Sequence, residues 1–316
     1  MNLIGDHVDY TGGLVLPMTL DRRTTIVGHH VDEKFWQLSS LDDPRPLALS
    51  LPIIDPSSVE PAWGRYVAGV LHGLNEAGVD VRGFVGEIST SLPIGAGLSS
   101  SAALEIAVAR TALDGSTSEM DNIEIALLCQ RAEQIASGVP CGIMDQLSIA
   151  AGRANTATLI DCRSLAVEYL AIPDDLEIVE RFISHRTLVG SEYADRVADC
   201  RVIESIIGSL REASLDDIEQ LSNERLRKRA RHVISENQRV RRFVTAIAGG
   251  EYGEAGQLML ESHRSLAEDY ETSNATMDRA VAELMNEPGI LGARMTGGGF
   301  GGCIVALRRR DQTSTK

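Results

Sequence analysis

Lysine is almost missing from this 316-residue chain: it occurs only at Lys34, Lys228 and Lys316. A phosphate site built on an ammonium group therefore has few candidates, and a bound anion must be met by arginines, backbone amides or a metal ion. Basic residues are also in the minority, 30 Lys and Arg against 45 Asp and Glu, for a formal net charge of -15. Such a surface repels nucleic acid and anionic membranes over most of its area, so neither is expected as a partner. No apolar run approaches the roughly 20 residues that span a bilayer, and no basic and then apolar leader opens the chain. The expected location is cytoplasmic. CxxC pairs are absent too. Cys129, Cys141, Cys162, Cys200 and Cys303 are scattered and odd in number, which excludes a disulfide framework or zinc site and predicts reduced, packed thiols.

What is present suffices for more than one hydrophobic core: 43% of residues are hydrophobic, and the length exceeds one ordinary domain. The first hundred residues read as strand-rich at 23–31, 35–40 and 84–89, interrupted by a helix that ends at Gly78. Helical spacing runs from the serines near 100 to Gly115. A second helix follows an Asp121/Glu124 capping box. Strand patterns return at 156–162 and 178–185, and polar helices whose Arg and Glu predict solvated faces fill 191–286. The chain closes on two strand-like runs around the glycine-rich "GGGFGG". Strands and helices without regular alternation predict an α+β fold.

The stretch "LPIGAGLSSSAALEIA", residues 92–107, combines glycines, three serines and a helix start. It lacks the lysine of a Walker A loop, and Ser100 stands where a dinucleotide fingerprint needs its third glycine. Its physics still suits an anion, because Gly95 and Gly97 allow close backbone approach and the helix presents its positive end. A serine-rich helix cap reads the same residues without a ligand.

Four segments, "NLIGDHVDYTGG" (2–13), "LPIGAGLSSSAALE" (92–105), "CGIMDQL" (141–147) and "RMTGGGFGG" (294–302), decide the matter when taken in order. Together they resemble the GHMP small-molecule kinases, most closely the galactokinase branch. Further likeness at 159–165, 188–200, 229–237 and 261–273 extends it over most of the chain. The resemblance implies two domains: residues 1–172, like ribosomal protein S5 domain 2 and binding sugar and ATP, and a ferredoxin-like 173–316. The active site is expected in a cleft between them.

The same resemblance implies a monomeric enzyme that uses ATP and Mg2+ to phosphorylate the anomeric hydroxyl of a hexose, galactose foremost. Gly95, Gly97, Leu98, Ser99, Ser100 and Ser101 would wrap the nucleotide phosphates, with Trp63 and Tyr66 towards adenine. Core aromatics on a helix are the competing reading of that pair. Ser101, or Ser100 beside it, and Glu133 would hold the metal. Asp145 would accept the C1 hydroxyl proton or orient that hydroxyl; a helix-capping aspartate is the alternative. Asp6 and His7 would lie near the C6 hydroxyl and Asp9 near C3 and C4, with Gly142 and Tyr193 completing the sugar contacts. The final glycine loop would fold beside the phosphates, or be a plain hairpin turn.

Departures from the pattern are specific. Asp6 stands where the branch usually has glutamate, and Asn274 where a cysteine-containing run is common. The branch also carries an arginine two positions ahead of Asn2, before the first residue here. A kinase for another sugar, an amino sugar or a cyclitol, and a non-catalytic sugar sensor, are the rival expectations.

Overall fold

A computed structural model describes residues 1–93, 97–185 and 192–310. Among them, β1 (Leu14–Val15), β2 (Thr24–Val31), β3 (Phe35–Ser40) and β4 (Leu47–Ser50) precede α1 (Gly64–Glu76). Strand β5 (Gly83–Thr90) leads to α2 (Ser100–Asp114), α3 (Asn122–Ser137) and α4 (Met144–Ala151). Then come β6 (Thr156–Asp161), β7 (Val167–Ala171) and β8 (Leu176–Ser184). Helices α5 (Tyr193–Ile207), α6 (Glu224–Gly249), α7 (Tyr252–Glu268) and α8 (Ala275–Leu284) precede the last strands, β9 (Ile290–Thr296) and β10 (Gly302–Arg309). No helix among the described residues is long and apolar enough to cross a membrane.

The chain folds as two compact units. An inserted unit comprises Leu20–Ile94 and Ser99–Gly152; a terminal unit comprises Met1–Thr19, Gly95–Leu98 and Arg153–Lys316. These units divide the chain differently from the expected boundary at 172/173. The reason is pairing: β1 joins β6 and β6 joins β7, so both ends of the expected first domain contribute to one sheet of the terminal unit. Leu3, Leu14 and Ala157 then share a core with Leu176, Phe243 and Val305.

In the inserted unit, the sheet order is β2-β5-β3-β4, with β3 and β5 parallel and the other pairs antiparallel. Trp36 is fully buried in it, stacks 5.0 Å from Phe84 and donates its indole N–H to the Arg82 carbonyl at 2.9 Å. Such a large ring enters a core at low cost only with its one donor satisfied. Helix α3 begins with the expected capping box: Asp121 accepts from the amides of Ile123 and Glu124, and Glu124 accepts from the Asp121 amide, all at 2.8 Å. Gly69 of α1 meets Ala132 of α3, where a methyl group would lie 3.0 Å from the Ala132 Cα. That approach brings α1, α2, α3 and α4 together as one packed group.

In the terminal unit, β10 lies between β8 and β9, antiparallel to both. Helix α6 corrects the expectation of solvated polar faces. Arg229, His232, Glu236, Asn237 and Arg239 are buried, and their charges are compensated locally: Arg239 Nε lies 2.7 Å from Glu236 Oε2, and Arg229 Nη2 2.5 Å from Glu271 Oε2. Charged side chains enter an interior when they are paired and hydrogen-bonded, and composition alone does not reveal pairing.

Candidate active site

Ahead of α2 the backbone twice enters the left-handed region, at Gly97 (φ +75°) and Ser99 (φ +58°). Only glycine does so without strain, so Ser99 is held there by its surroundings. The Ser99 side chain makes no capping bond. The cap reading therefore fails at Ser99, and the first amides of this 15-residue helix point out of its N-terminus, as an anion requires. Leu98 is buried and Ser100 begins the helix. Gly95 lies outside the described residues.

Three helices deliver carboxylates behind this turn. Ser101 in the first turn of α2 lies beside Glu133 of α3, and its hydroxyl draws the Glu133 pKa down. Glu105, one turn further along α2, is fully buried, and its Oε2 accepts from Gln146 Nε2 at 3.1 Å. Glu105 and Glu133 are neighbours close enough to shift one another's pKa. Asp145, beside Gln146 in the first turn of α4, is close enough for its charge to act on both. Burial pushes the Glu105 carboxyl well above its usual range, with Glu133 adding to it, and burial raises Glu133 as well. Ile143, not Asp145, holds the capping position of α4, which removes the capping explanation for Asp145. Gly142 is buried immediately before that cap.

Tyr66 on α1 belongs to the same group: burial, then the charges of Glu133 and Glu105, push its hydroxyl up to about 12. Trp63 caps α1 with its indole N–H buried and without a hydrogen-bond partner. Among the described residues no three His, Cys, Asp or Glu side chains form a cation cage by themselves. The donor set nevertheless fits Mg2+, which takes few protein oxygens and fills its octahedron with phosphate and water. A fully buried and a half-buried carboxyl side by side favour a proton or a cation between them, and Glu105 Oε1 has no donor.

The terminal unit carries the remaining candidates. His7 is held at φ +63°, and its Nδ1 lies 2.9 Å from the Tyr10 hydroxyl. That hydroxyl meets Tyr270 Oη at 2.7 Å, and Tyr270 Oη meets Cys200 Sγ at 3.2 Å. The rings of Tyr193 and Tyr270 pack 5.3 and 4.8 Å from His7. Burial pushes both the Tyr10 and Tyr270 hydroxyls well up and the Cys200 thiol up to about 12, so the chain stays neutral. Asp9 opens a short 3-10 turn closed by the Gly12 amide; desolvation pushes the Cys162 thiol well up, and the Asp9 charge adds to it. Asp6 lies 2.6 Å from Arg294 and accepts the Gly297 amide at 3.1 Å, which ties the first segment to the last glycine loop. That loop also makes the hairpin between β9 and β10.

The geometry thus gathers Ser101, Glu133, Asp145 and Tyr66 in one unit and His7 with Tyr193 in the other. Comparison with known proteins identifies the setting. Residues 65–153 match the GHMP kinases N terminal domain, 243–314 the GHMP kinases C terminal domain, and 1–30 the galactokinase galactose-binding signature. The chain is 42% identical to the galactokinase of Bos taurus and 40% to that of Homo sapiens, in each case over 97% of this chain and 81% of the relative. A crystal structure of Lactococcus lactis galactokinase complexed with galactose superposes with a TM-score of 0.91 at 33% identity, covering 99% of this chain and 84% of that one. The chain belongs to the galactokinase family of GHMP kinases. Methanococcus jannaschii mevalonate kinase shares the fold, with a TM-score of 0.71 at 21% identity.

Within the galactokinase family assignment, several residues of these sites lie outside those singled out in the sequence. Glu105 had a signal: it is an acid four positions after Ser101, on the same helical face and within an apolar run. Arg294 stands directly before "MTGGG", where a cation beside a glycine loop invites attention. Tyr270 and Glu236 come from distant segments, and no local pattern ties them to residues 2–13.

Proposed function

We infer that this chain catalyses ATP-dependent phosphorylation of the anomeric hydroxyl of a hexose, converting galactose to galactose 1-phosphate. The observation that carries this reading is the convergence of Ser101, Glu133 and Asp145 behind the open N-terminus of α2, in a chain that matches the galactose-binding signature at residues 1–30. Phosphoryl transfer asks a protein to align nucleophile and phosphate and to stabilise charge. The α2 amides suit the nucleotide phosphates without any ammonium group. Both described lysines are engaged elsewhere, Lys34 with Asp80 and Lys228 near Glu271.

Ser101 and Glu133 are the residues that would hold Mg2+. The ion, when bound, neutralises phosphate charge. Asp145 orients the C1 hydroxyl and takes its proton as the oxygen–phosphorus bond forms and the bond to the departing ADP breaks. His7 and Asp9 supply sugar contacts, with the neutral Tyr10–Tyr270–Cys200 chain fixing the His7 ring. Tyr193 covers the histidine. ADP release from the purified protein against a panel of hexoses, amino sugars and cyclitols tests the reading. Galactose should head the panel and give the 1-phosphate; turnover confined to another substrate class would overturn the assignment.

A further inference from the structure

Asp6 is only 1% exposed, so it offers almost no surface to a ligand. Its Oδ1 is hydrogen-bonded twice, and its Oδ2 is held in an ion pair without a hydrogen bond. Oδ1 accepts from Asn2 Nδ2 at 3.0 Å and from the Gly297 amide at 3.1 Å, and Oδ2 stands 2.6 Å from Arg294 Nη2. Even the Asp6 carbonyl is used, by His232 Nε2 at 3.1 Å. Arg294 is fully buried and donates from Nη1 to the Leu3 carbonyl at 3.1 Å, while the Gly5 amide donates to Glu236 Oε1 at 2.9 Å. Glu236 is paired in turn with Arg239. Two buried acids thus face two arginines. Removing one partner of such a set leaves an uncompensated charge, so the set has one arrangement.

The next residue, His7, sits in the left-handed region that non-glycine residues avoid, and it persists there only if the flanking chain is fixed. Asp6 fixes one side, and Tyr10 the other. We propose that Asp6 is a positioning residue: through Arg294 and the Gly297 amide it sets the posture of His7 and Asp9 towards the sugar, and it does not touch the C6 hydroxyl. The proposal rests on galactose being the substrate.

The test measures steady-state kinetics of the full chain and of Asp6→Asn with galactose and with 6-deoxy-D-galactose. Asparagine keeps the size and the acceptor for Gly297 but removes the charge facing Arg294. The KM for galactose should rise about tenfold or more with the KM for ATP unchanged. The same factor, within about twofold, should apply to the 6-deoxy sugar, because no contact to O6 is lost. A penalty that disappears on the 6-deoxy sugar overturns the proposal, since it marks a direct contact with O6. A lowered Tm with an unchanged KM also overturns it. If Asp6→Asn does not fold, Arg294→Lys serves: a raised sugar KM with unaltered discrimination at C6 supports the role, and an unaltered KM refutes it. A wild-type chain inert on galactose but active on another substrate refutes the substrate reading, and the proposal with it.

Discussion

At the scale of single residues, the kinase site proposed for the inserted unit uses no lysine. Each participant is tuned by its neighbours: the Glu133 carboxyl is raised by burial, with the Asp145 charge adding to it, while Glu105 and the Ser101 hydroxyl draw it down. Glu133→Gln keeps the shape and removes the charge that a cation needs. It should raise the Mg2+ concentration for half-maximal activity by roughly ten- to a hundredfold, read by titrating the ion at saturating ATP. An unchanged Mg2+ dependence would remove Glu133 from the metal site. The family resemblance singled out Ser101, Glu133 and Asp145, and the structure places all three in the inserted unit. Asp6 shows the limit of that method. Its sequence context suggests a ligand, but only the structure reveals the ion pair with Arg294 and the hydrogen bond from the Gly297 amide.

At the scale of elements, local signals were reliable where the physics is local. The Asp121 capping box, the stop of α2 at Gly115 and the strand pattern of β2 all depend on a few adjacent residues, and all are found. Strand β7 falls within the strand-patterned span that runs from 156–162 through 178–185, but its residues are half-buried or exposed and give no periodic apolar face to mark its bounds. The burial of Arg229, Glu236 and Arg239 among the apolar residues of α6 escaped because pairing with residues far along the chain is invisible to periodicity. Backbone contact is equally hidden. Helix α7 crosses β9 so closely that a methyl group on Gly256 would lie 2.1 Å from the Leu291 carbonyl oxygen, whereas one on Gly253 of the same helix meets nothing within 4 Å. Gly256→Ala should therefore destabilise the protein by about 2 kcal/mol or more. Gly253→Ala should be neutral or stabilising by up to about 1 kcal/mol. Denaturant midpoints of the two variants make the comparison, and equal midpoints would contradict the packing.

For the whole molecule, burial of titratable groups sets the response to acid. Burial holds the pKa values of His232 and His263 at about 4, below the ordinary histidine value. Both are thus neutral in the folded state while the unfolded chain protonates near pH 6.5. Their contribution to stability is complete above about pH 6.5 and declines as the pH falls towards 4. Burial alone would raise Glu236, but Arg239 and then Arg294 outweigh it and hold the carboxyl at about 2. Its contribution is present above about pH 4.5 and is lost below, towards pH 2. Thermal melts should accordingly show a steady Tm above pH 7 and a fall from about pH 6.5 downward; a flat Tm to pH 4 would refute the buried neutral histidines. The central claim concerns chemistry, and it is tested most directly on Asp145→Asn. Sugar-dependent ADP release should drop by a factor of about a thousand or more while ATP binding, followed by calorimetry, stays near wild type. A variant that turns galactose over at the wild-type rate would contradict the account.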